Sequence, residues 1–169
     1  VDRLDPAVDA AKRMETMLNE LLTLAREGRA VGDTEPVAID TIVANAWDGV
    51  DTPEATLETE ALTPMAMVEA DPTRLREVFE NLFRNAIDHA GADVTVTVRA
   101  TDNGVVVGDD GEGIPADEQE SVFDHGYTGG GGTGLGLSIV ETIVEGHGWE
   151  ISVGDSEAGG AAFRIDFDP

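Results

Sequence analysis

The sequence predicts an α/β fold, because segments with the apolar spacing of helices alternate with short segments typical of strands. Three observations carry this prediction. An amphipathic helix starts at Asp71-Pro72, a hairpin follows between Val94 and Val107, and an apolar helix near Gly136 precedes two closing strands. With 169 residues, 41% of them hydrophobic, the chain is long enough for one ordinary domain and an appendage.

The appendage is an N-terminal helix with a narrow apolar stripe, expected to end near Gly28. Its apolar residues recur at alternating spacings of three and four. The stripe consists of Leu4, Ala7, Ala11, Met14, Leu18, Leu21 and Ala25. This spacing predicts a partner helix, and packing on its own domain is the alternative. Gly32, Asp33 and Pro36 then interrupt regular structure, so residues 29–35 are predicted to be a linker.

A second unit is predicted over residues 36–169. Its first elements are a strand over 37–39, a helix over 40–49 and strands over 55–60 and 65–69. Asp71 suits an N-cap and Pro72 suits the first turn of the next helix. The apolar face of that helix consists of Leu75, Val78, Phe79, Leu82, Phe83, Ala86 and Ile87. This face is expected to pack on a sheet.

A strict alternation of apolar and polar residues predicts the strands of that sheet. Valines at 94, 96 and 98 alternate with Thr95, Thr97 and Arg99, and a turn at residues 102–104 leads into three further valines. This pattern predicts a hairpin. A helix over 136–146 and strands over 149–153 and 162–167 complete the predicted unit.

Charge is the strongest signal in the composition. The chain has 35 acidic and 10 basic residues, a net charge of −25, and Lys12 is its only lysine. Because the chain has no cluster of basic residues that could bind phosphates, it is not expected to bind nucleic acid. The acids are spread along periodic apolar segments, so a folded domain is predicted rather than an acidic tail. This acidic, lysine-poor composition resembles that of proteins from salt-loving archaea, in which a high salt concentration screens the repulsion between acidic side chains.

Other classes are excluded by absent residue types. The chain has no cysteine, which excludes disulfides, thiolate metal sites and cysteine nucleophiles. No run approaches the roughly 18 apolar residues of a membrane span, and no signal peptide is present, so no membrane contact is expected of this piece.

Three polar side chains share one edge of the helix that begins at Asp71. Asn81, Asn85 and His89 recur every four residues, opposite the predicted core face. A solvated surface edge is one interpretation. The other is that the amide oxygen of Asn85 binds Mg²⁺, a hard ion that also takes oxygens from phosphates.

The predicted hairpin runs into a second candidate, Asp109-Asp110-Gly111-Glu112-Gly113. An acidic surface turn is the bland interpretation of so short a motif. The functional one is that a carboxylate at a strand end accepts a hydrogen bond from the N6 amine of adenine, while the glycines allow close approach to the backbone.

The third candidate is the glycine-rich run over residues 126–136, which leads directly into an apolar helix. A flexible linker is the alternative. Backbone N–H groups freed of side-chain bulk by Gly134 and Gly136 would point at phosphate oxygens, with the helix dipole behind them. The pattern is neither a Walker A loop nor a dinucleotide-binding fingerprint.

Taken together, these motifs resemble the catalytic domain of histidine kinases, within the superfamily of gyrase-type topoisomerases, heat-shock chaperones and MutL-type repair ATPases. NLFRNAIDHA is similar to the N box, DDGEGI to the first G box, SVFDHGYT to the F box and GTGLGLSIV to the second G box, in the family's order. The resemblance covers residues 36–169. It implies a two-layer α/β sandwich, the Bergerat ATP-binding fold, in which helices cover one face of a mixed sheet.

The resemblance also implies a site for ATP and Mg²⁺. It implies that Asn85 binds magnesium, Asn81 positions the phosphates, Asp109 reads adenine, and His89 contacts the nucleotide. The other nucleotide-binding positions it implies are Gly111, Gly113, Ile114, Thr133, Gly134, Leu135, Gly136 and Leu137.

The same resemblance implies partners. Residues 1–28 are similar to the second helix of a dimerisation hairpin, so the full-length kinase is expected to be a homodimer. Phosphate from ATP is expected to pass to a histidine and then to an aspartate in the receiver domain of a response regulator. The expected location is the cytoplasm, either for a cytoplasmic protein or for the cytoplasmic part of a membrane-bound sensor.

Two departures from the family pattern bear on mechanism. Asp88 stands where a lysine is common, and Asp124-His125-Gly126 where an arginine is common, so phosphate neutralisation is expected to depend on magnesium and backbone amides. None of the three histidines has the sequence of a phosphoacceptor, so that histidine is expected on a helix preceding Val1.

Two alternatives remain at this stage. One is a stand-alone serine kinase or ATPase, similar to the anti-sigma-factor kinases. These proteins usually have a glutamate at the position of Asn81 that acts as a base, and the amide of Asn81 cannot act as one. A degenerate domain that only binds nucleotide or a partner is the other.

Overall fold

The computed structural model describes residues 5–26, 31–50, 54–60, 67–123 and 136–169, with the side chains of the first segment described for 5–18 and 21. The elements in chain order are α1 Asp5–Arg26, β1 Glu35–Ala38, α2 Ile39–Asp48, β2 Thr56–Glu60, β3 Met67–Ala70, α3 Pro72–Ala90, β4 Thr95–Ala100, β5 Gly104–Asp109, a 3₁₀ turn Gln119–Ser121, α4 Gly136–Gly146, β6 Glu150–Asp155 and β7 Ala161–Asp166. From residue 35 onward the predicted elements are present with boundaries that differ by at most two residues, and β1 includes Glu35, the last residue of the predicted linker.

A five-stranded sheet with the strand order β2-β4-β5-β7-β6 forms one layer of the fold. The β2–β4 pair is parallel and the other pairs are antiparallel, so the sheet is mixed, as predicted. The predicted hairpin joins β4 and β5 in a register that sets Val98 opposite Val107 and Val96 opposite Asp109. Asp109 is therefore the last residue of a central strand.

A second, two-stranded sheet pairs β1 with β3 in antiparallel fashion, with Val37 opposite Val68. The sequence predicted both strands but not their pairing. α2 follows β1 directly and contacts it, and its Ile39, Ile42 and Val43 are buried.

The helices α2, α3 and α4 cover the face of the large sheet to which the alternating valines point. Val96, Val98 and Val107 are buried, whereas Thr97 and Arg99 between them remain partly exposed. Phe79 and Phe83 of α3 are fully buried and stack at 6.1 Å between ring centroids. Full burial of such a side chain contributes about 1.5–3 kcal/mol, so the burial of these rings stabilises the packing of α3 in the core.

Asp71 fixes the start of α3 as its N-cap. Its Oδ1 accepts hydrogen bonds from the backbone N–H groups of Thr73 and Arg74, at 3.0 and 3.3 Å. Its Oδ2 accepts from Gly32 N at 2.8 Å, and its own N–H donates to His147 Nε2 at 3.0 Å. Asp71 therefore joins the predicted linker, α3 and the residue after α4.

The imidazole of His147 is held in one neutral tautomer. Nδ1–H donates to the backbone oxygen of Ile143 at 2.8 Å, which leaves Nε2 to accept from Asp71, and the ring stacks on Trp149 at 4.1 Å. Burial lowers the pKa of His147, against the opposing effects of the Ile143 oxygen and the Asp71 carboxylate.

The stripe on α1 is exposed where its side chains are described. Met14, Leu18 and Leu21 have exposed fractions of 65%, 59% and 45%. The rest of the described chain therefore leaves these three side chains of the stripe largely uncovered. Within the described residues, none of the helices is long and apolar enough to cross a membrane.

Candidate functional site

The three polar residues on α3 occupy different environments. Asn81 is buried, with 6% of its surface exposed, and its Nδ2 donates to the Glu77 backbone oxygen at 2.9 Å. Its Oδ1 faces the first residue of α4, because a Cβ on Gly136 would lie 3.3 Å from that oxygen. Asn81 is therefore an interhelical residue rather than part of a solvated edge. Asn85 is half-buried and His89 is exposed.

A cleft of about 580 Å³, including the part open to solvent, lies beside these residues. It is bounded by the second half of α3, the loop after β5, the first turn of α4 and the start of β7. Of the residues named from the sequence, it brings together Asn85, His89, Asp109, Gly113, Ile114 and Leu137. Six of the twelve residues named for nucleotide binding therefore share this cleft, whereas Asn81, Gly111 and Gly136 are not among its lining residues.

Other lining residues give the cleft its character. These are Ala90, Glu112, Pro115, Glu118 and Ala161. Apolar groups form the walls of the inner part, and the two glutamates add negative charge at the rim. Among the described lining residues there is no lysine or arginine, so an anionic ligand needs its charge neutralised from elsewhere.

Asp109 is the buried carboxylate of the cleft, with 7% of its surface exposed. Its Oδ1 accepts hydrogen bonds from the backbone N–H groups of Gly111 at 3.0 Å and Ala161 at 3.1 Å. Among the described residues, no donor reaches Oδ2. Burial raises the pKa of Asp109 above its ordinary value, although the two backbone hydrogen bonds oppose this. Within the described part of the chain, one oxygen of this carboxylate is thus fixed by backbone N–H groups and the other has no protein donor.

The loop after β5 passes close to α3 because it carries glycines. A Cβ on Gly111 would overlap Ala90 at the end of α3, and Gly113 has φ of +78°, a conformation that favours glycine. The loop thereby brings Ile114 to the cleft and leaves Asp109 reachable.

Sequence reasoning missed the contribution of the β6–β7 turn to this site. The Ser156 hydroxyl donates to the backbone oxygen of Asp109 at 2.6 Å, and a Cβ on Gly160 would overlap Asp109 itself. Ala161 supplies one of the two N–H groups on the carboxylate. The Gly159-Gly160 pair was the only sequence signal of this close approach.

Three residues named for nucleotide binding, Thr133, Gly134 and Leu135, lie outside the described residues, as does Asp124-His125-Gly126. Gly136 and Leu137 form the first turn of α4, and Leu137 lines the cleft. Asp88, at the position where a lysine was expected from the family pattern, is exposed on α3.

The described residues contain no group of three or more histidine and acidic side chains able to hold a metal by themselves. Asn85 offers one amide oxygen to the cleft. A magnesium ion there fits only as a complex with phosphate oxygens and water, which is how this hard ion is usually held.

A model of the family described as histidine kinase-, DNA gyrase B-, and HSP90-like ATPase matches residues 70–169. The sensor histidine kinase ZraS of Salmonella typhi is 34% identical over 165 residues, which are 92% of this chain and 35% of ZraS. The signal transduction histidine-protein kinase AfsQ2 of Streptomyces coelicolor is 36% identical, over 94% of this chain and 31% of AfsQ2.

Solved structures agree with these relatives. The histidine kinase ThkA, in its complex with the response regulator protein TrrA, matches with a TM-score of 0.69 at 25% identity, over 94% of this chain and 48% of the matched chain. The present chain spans about a third of the length of the curated relatives it matches.

Proposed function

The chain belongs to the histidine kinase-, DNA gyrase B- and HSP90-like ATPase family, and from this premise we propose that it is the ATP-binding module of a sensor histidine kinase. It is homologous to the catalytic ATP-binding domain of sensor histidine kinases. The module binds Mg-ATP and presents the γ-phosphate to a histidine on another helix of the parent protein.

The observation that carries this proposal is the arrangement of Asp109. Asp109 lines a cleft that also has apolar lining residues, and two backbone N–H groups hold its Oδ1, while no donor among the described residues reaches Oδ2. The exocyclic N6 amine of adenine is a donor suited to Oδ2, and a buried carboxylate rejects bases that present a carbonyl there. Ile114 and Leu137 provide the apolar surface for the base.

The phosphates are proposed to lie toward Asn81 and Asn85, near the start of α4. Magnesium held by Asn85 neutralises phosphate charge, which matters because the described lining contains no cation. The buried amide of Asn81 orients the phosphates from between the two helices. His89 contacts the nucleotide from the exposed end of the edge. Backbone amides of residues 133–137 are proposed to complete the phosphate site.

In the proposed reaction, an imidazole nitrogen of the parent's acceptor histidine attacks the γ-phosphorus, and the bond to the β,γ-bridging oxygen of ATP breaks. ADP leaves, and the phosphoryl group later passes to an aspartate of a response regulator. The ThkA complex with TrrA supports that partner class. Catalysis consists mainly of positioning and charge neutralisation.

Further parts of the proposal concern assembly and location. The exposed stripe on α1 supports pairing with a helix of a dimerisation hairpin, and so a homodimeric parent. We place the module in the cytoplasm, where ATP is available. The net charge of −25 supports a source whose interior is rich in salt.

The competing function is a stand-alone ATPase or serine kinase of the same family. It requires a base to activate water or a hydroxyl, and the amide of Asn81, which already donates to Glu77 O, cannot accept that proton. A degenerate domain is disfavoured because Asn85 and Asp109 lie in one cleft with an open acceptor.

The test uses this chain and the full-length protein of the same gene, in high salt with Mg²⁺. We expect calorimetry to show ATP binding by the chain, and labelled ATP to produce acid-labile phosphohistidine only in the full-length protein. Asn85→Ala should abolish labelling, and Asn45→Ala, a matched change at an exposed position on α2, should not. Steady ATP hydrolysis by the chain alone would favour the stand-alone enzyme.

A further inference from the structure

The turn between β6 and β7 is closed by one serine acting through both its backbone and its side chain. The last pair of this ladder is Asp155 and Ala161, so residues 156–160 form the turn. Ser156 N donates to Gly160 O at 2.7 Å, and Gly160 N donates to Ser156 Oγ at 2.9 Å. The hydroxyl therefore defines the shape of the turn.

The same hydroxyl joins the turn to the strand that carries the site's carboxylate. The β5–β7 ladder ends at the pair of Gly108 and Ala162. Beyond it, Ser156 Oγ donates to the Asp109 backbone oxygen at 2.6 Å, and Ala161 N donates to Asp109 Oδ1 at 3.1 Å. Asp109 is thus held at its main chain by the turn and at its side chain by the first residue of β7.

In these contacts the hydroxyl donates its single proton to Asp109 O and accepts from Gly160 N with one of its two lone pairs. Gly160 lies so close to Asp109 that any side chain at position 160 would overlap the Asp109 carboxylate and backbone. A change at Ser156 is therefore transmitted to Ala161 N, and from it to the carboxylate, without any direct contact with a ligand.

From this geometry we propose that Ser156 is a positioning residue that sets selectivity for the 6-amino group of the base. The proposal rests on the proposed function, because it requires Asp109 to read adenine. Ser156 holds the turn so that Ala161 N keeps Oδ1 in place and Oδ2 is left for the base. Without the hydroxyl, the carboxylate loses this restraint and its hydrogen bond to N6 weakens.

The test compares two nucleotides on the intact chain in high salt with Mg²⁺. One is ATP, and the other is purine riboside triphosphate, which has hydrogen in place of the 6-amino group. Ser156→Ala is expected to lower ATP affinity about fivefold, the value of one ordinary hydrogen bond, and to leave affinity for the analogue unchanged.

Two variants serve as controls. Ser152→Ala removes a hydroxyl from an exposed position on β6, the strand that precedes the turn, and should not alter either affinity. Ser156→Thr keeps a hydroxyl and should keep the ratio of the two affinities near that of the wild type. If Ser156→Ala does not fold, Ser156→Cys, a near-isostere with a weak hydrogen-bonding group, permits the same comparison.

Equal losses for the two nucleotides in Ser156→Ala would overturn the inference, because they would indicate a general structural role. Unchanged affinities for both would overturn it as well. Failure of the wild type to bind ATP would instead overturn the proposed function, and a wild type that binds both nucleotides equally would overturn the adenine assignment of Asp109.

Discussion

At the scale of single residues, Asp109 shows how a binding requirement opposes folding. Its carboxylate is desolvated, and burial raises its pKa. A carboxyl whose folded pKa exceeds its unfolded pKa stabilises the fold below the unfolded pKa, and this contribution is lost as pH rises through the folded pKa. At neutral pH the ionised carboxylate of Asp109 therefore lowers the free energy of unfolding.

Asp109→Asn is expected to abolish measurable ATP binding, with a loss of at least about 100-fold, without lowering the melting temperature at neutral pH. The asparagine oxygen still accepts from Gly111 and Ala161, while its amide donor faces the N6 donor of adenine. Calorimetry and thermal unfolding measure the two effects. Asp110→Asn, at the exposed neighbour, is the control, and unchanged ATP affinity in Asp109→Asn would refute the adenine assignment.

The neutral imidazole of His147 predicts a pH effect on stability. Its folded pKa is lowered by burial, so its contribution is present above the unfolded pKa near 6.5 and is lost as pH falls through the folded value. Protonation places a hydrogen on Nε2, where Asp71 N–H already donates.

Urea unfolding at about pH 8 and about pH 5.5 tests this effect. The wild type should lose more stability over that interval than His147→Ala, although the variant is less stable throughout. His89→Ala, at an exposed histidine, should keep the wild-type difference. An identical pH response in wild type and His147→Ala would show that the hydrogen bond to Asp71 contributes nothing.

At the scale of elements, the sequence predicted what depends on local periodicity. The apolar spacing after Asp71-Pro72 predicted α3 correctly, and alternating valines predicted the β4–β5 hairpin. The pairing of β1 with β3 joins segments about thirty residues apart, which no local pattern encodes. The site divides in the same way: Asn85 and Asp109 lie in recognisable motifs, whereas Ser156 and Ala161 act through backbone contacts made only after folding.

The passage of the loop after β5 against α3 predicts different outcomes for two glycine-to-alanine changes. Gly111→Ala should destabilise the fold by about 1–3 kcal/mol and weaken ATP binding, because the new methyl group overlaps Ala90. Gly154→Ala on β6 meets no atom within 4 Å and should leave both quantities near wild type. Urea unfolding and calorimetry provide the comparison, and equal effects of the two changes would contradict the close packing described for Gly111.

At the scale of the whole molecule, a net charge of −25 on 169 residues makes self-repulsion a dominant unfavourable interaction. Its range falls from about 10 Å at 0.1 M salt to about 3 Å at 1 M. Salt should also aid the approach of ATP, an anion, to a cleft whose rim carries Glu112 and Glu118.

The melting temperature is therefore expected to rise steadily between about 0.1 and about 2 M NaCl. Replacing Glu58, Glu60 and Glu150, all exposed, by glutamine should reduce the slope of that rise, since fewer charges remain to be screened. Differential scanning calorimetry measures both proteins. A melting temperature that stays constant or falls with salt would contradict a fold limited by its own charge.

The hydrogen bonds of Asp71 also constrain the order of assembly. They connect residues 32, 71 and 147, and the longest link spans 76 positions of the chain. The amide of Asp71 acquires its acceptor only after α4 has docked, so the first turn of α3 matures late even though its own sequence favours nucleation there. Amide hydrogen exchange at Asp71 should consequently report on global unfolding, although the residue stands at a helix end, where fraying is normally fastest.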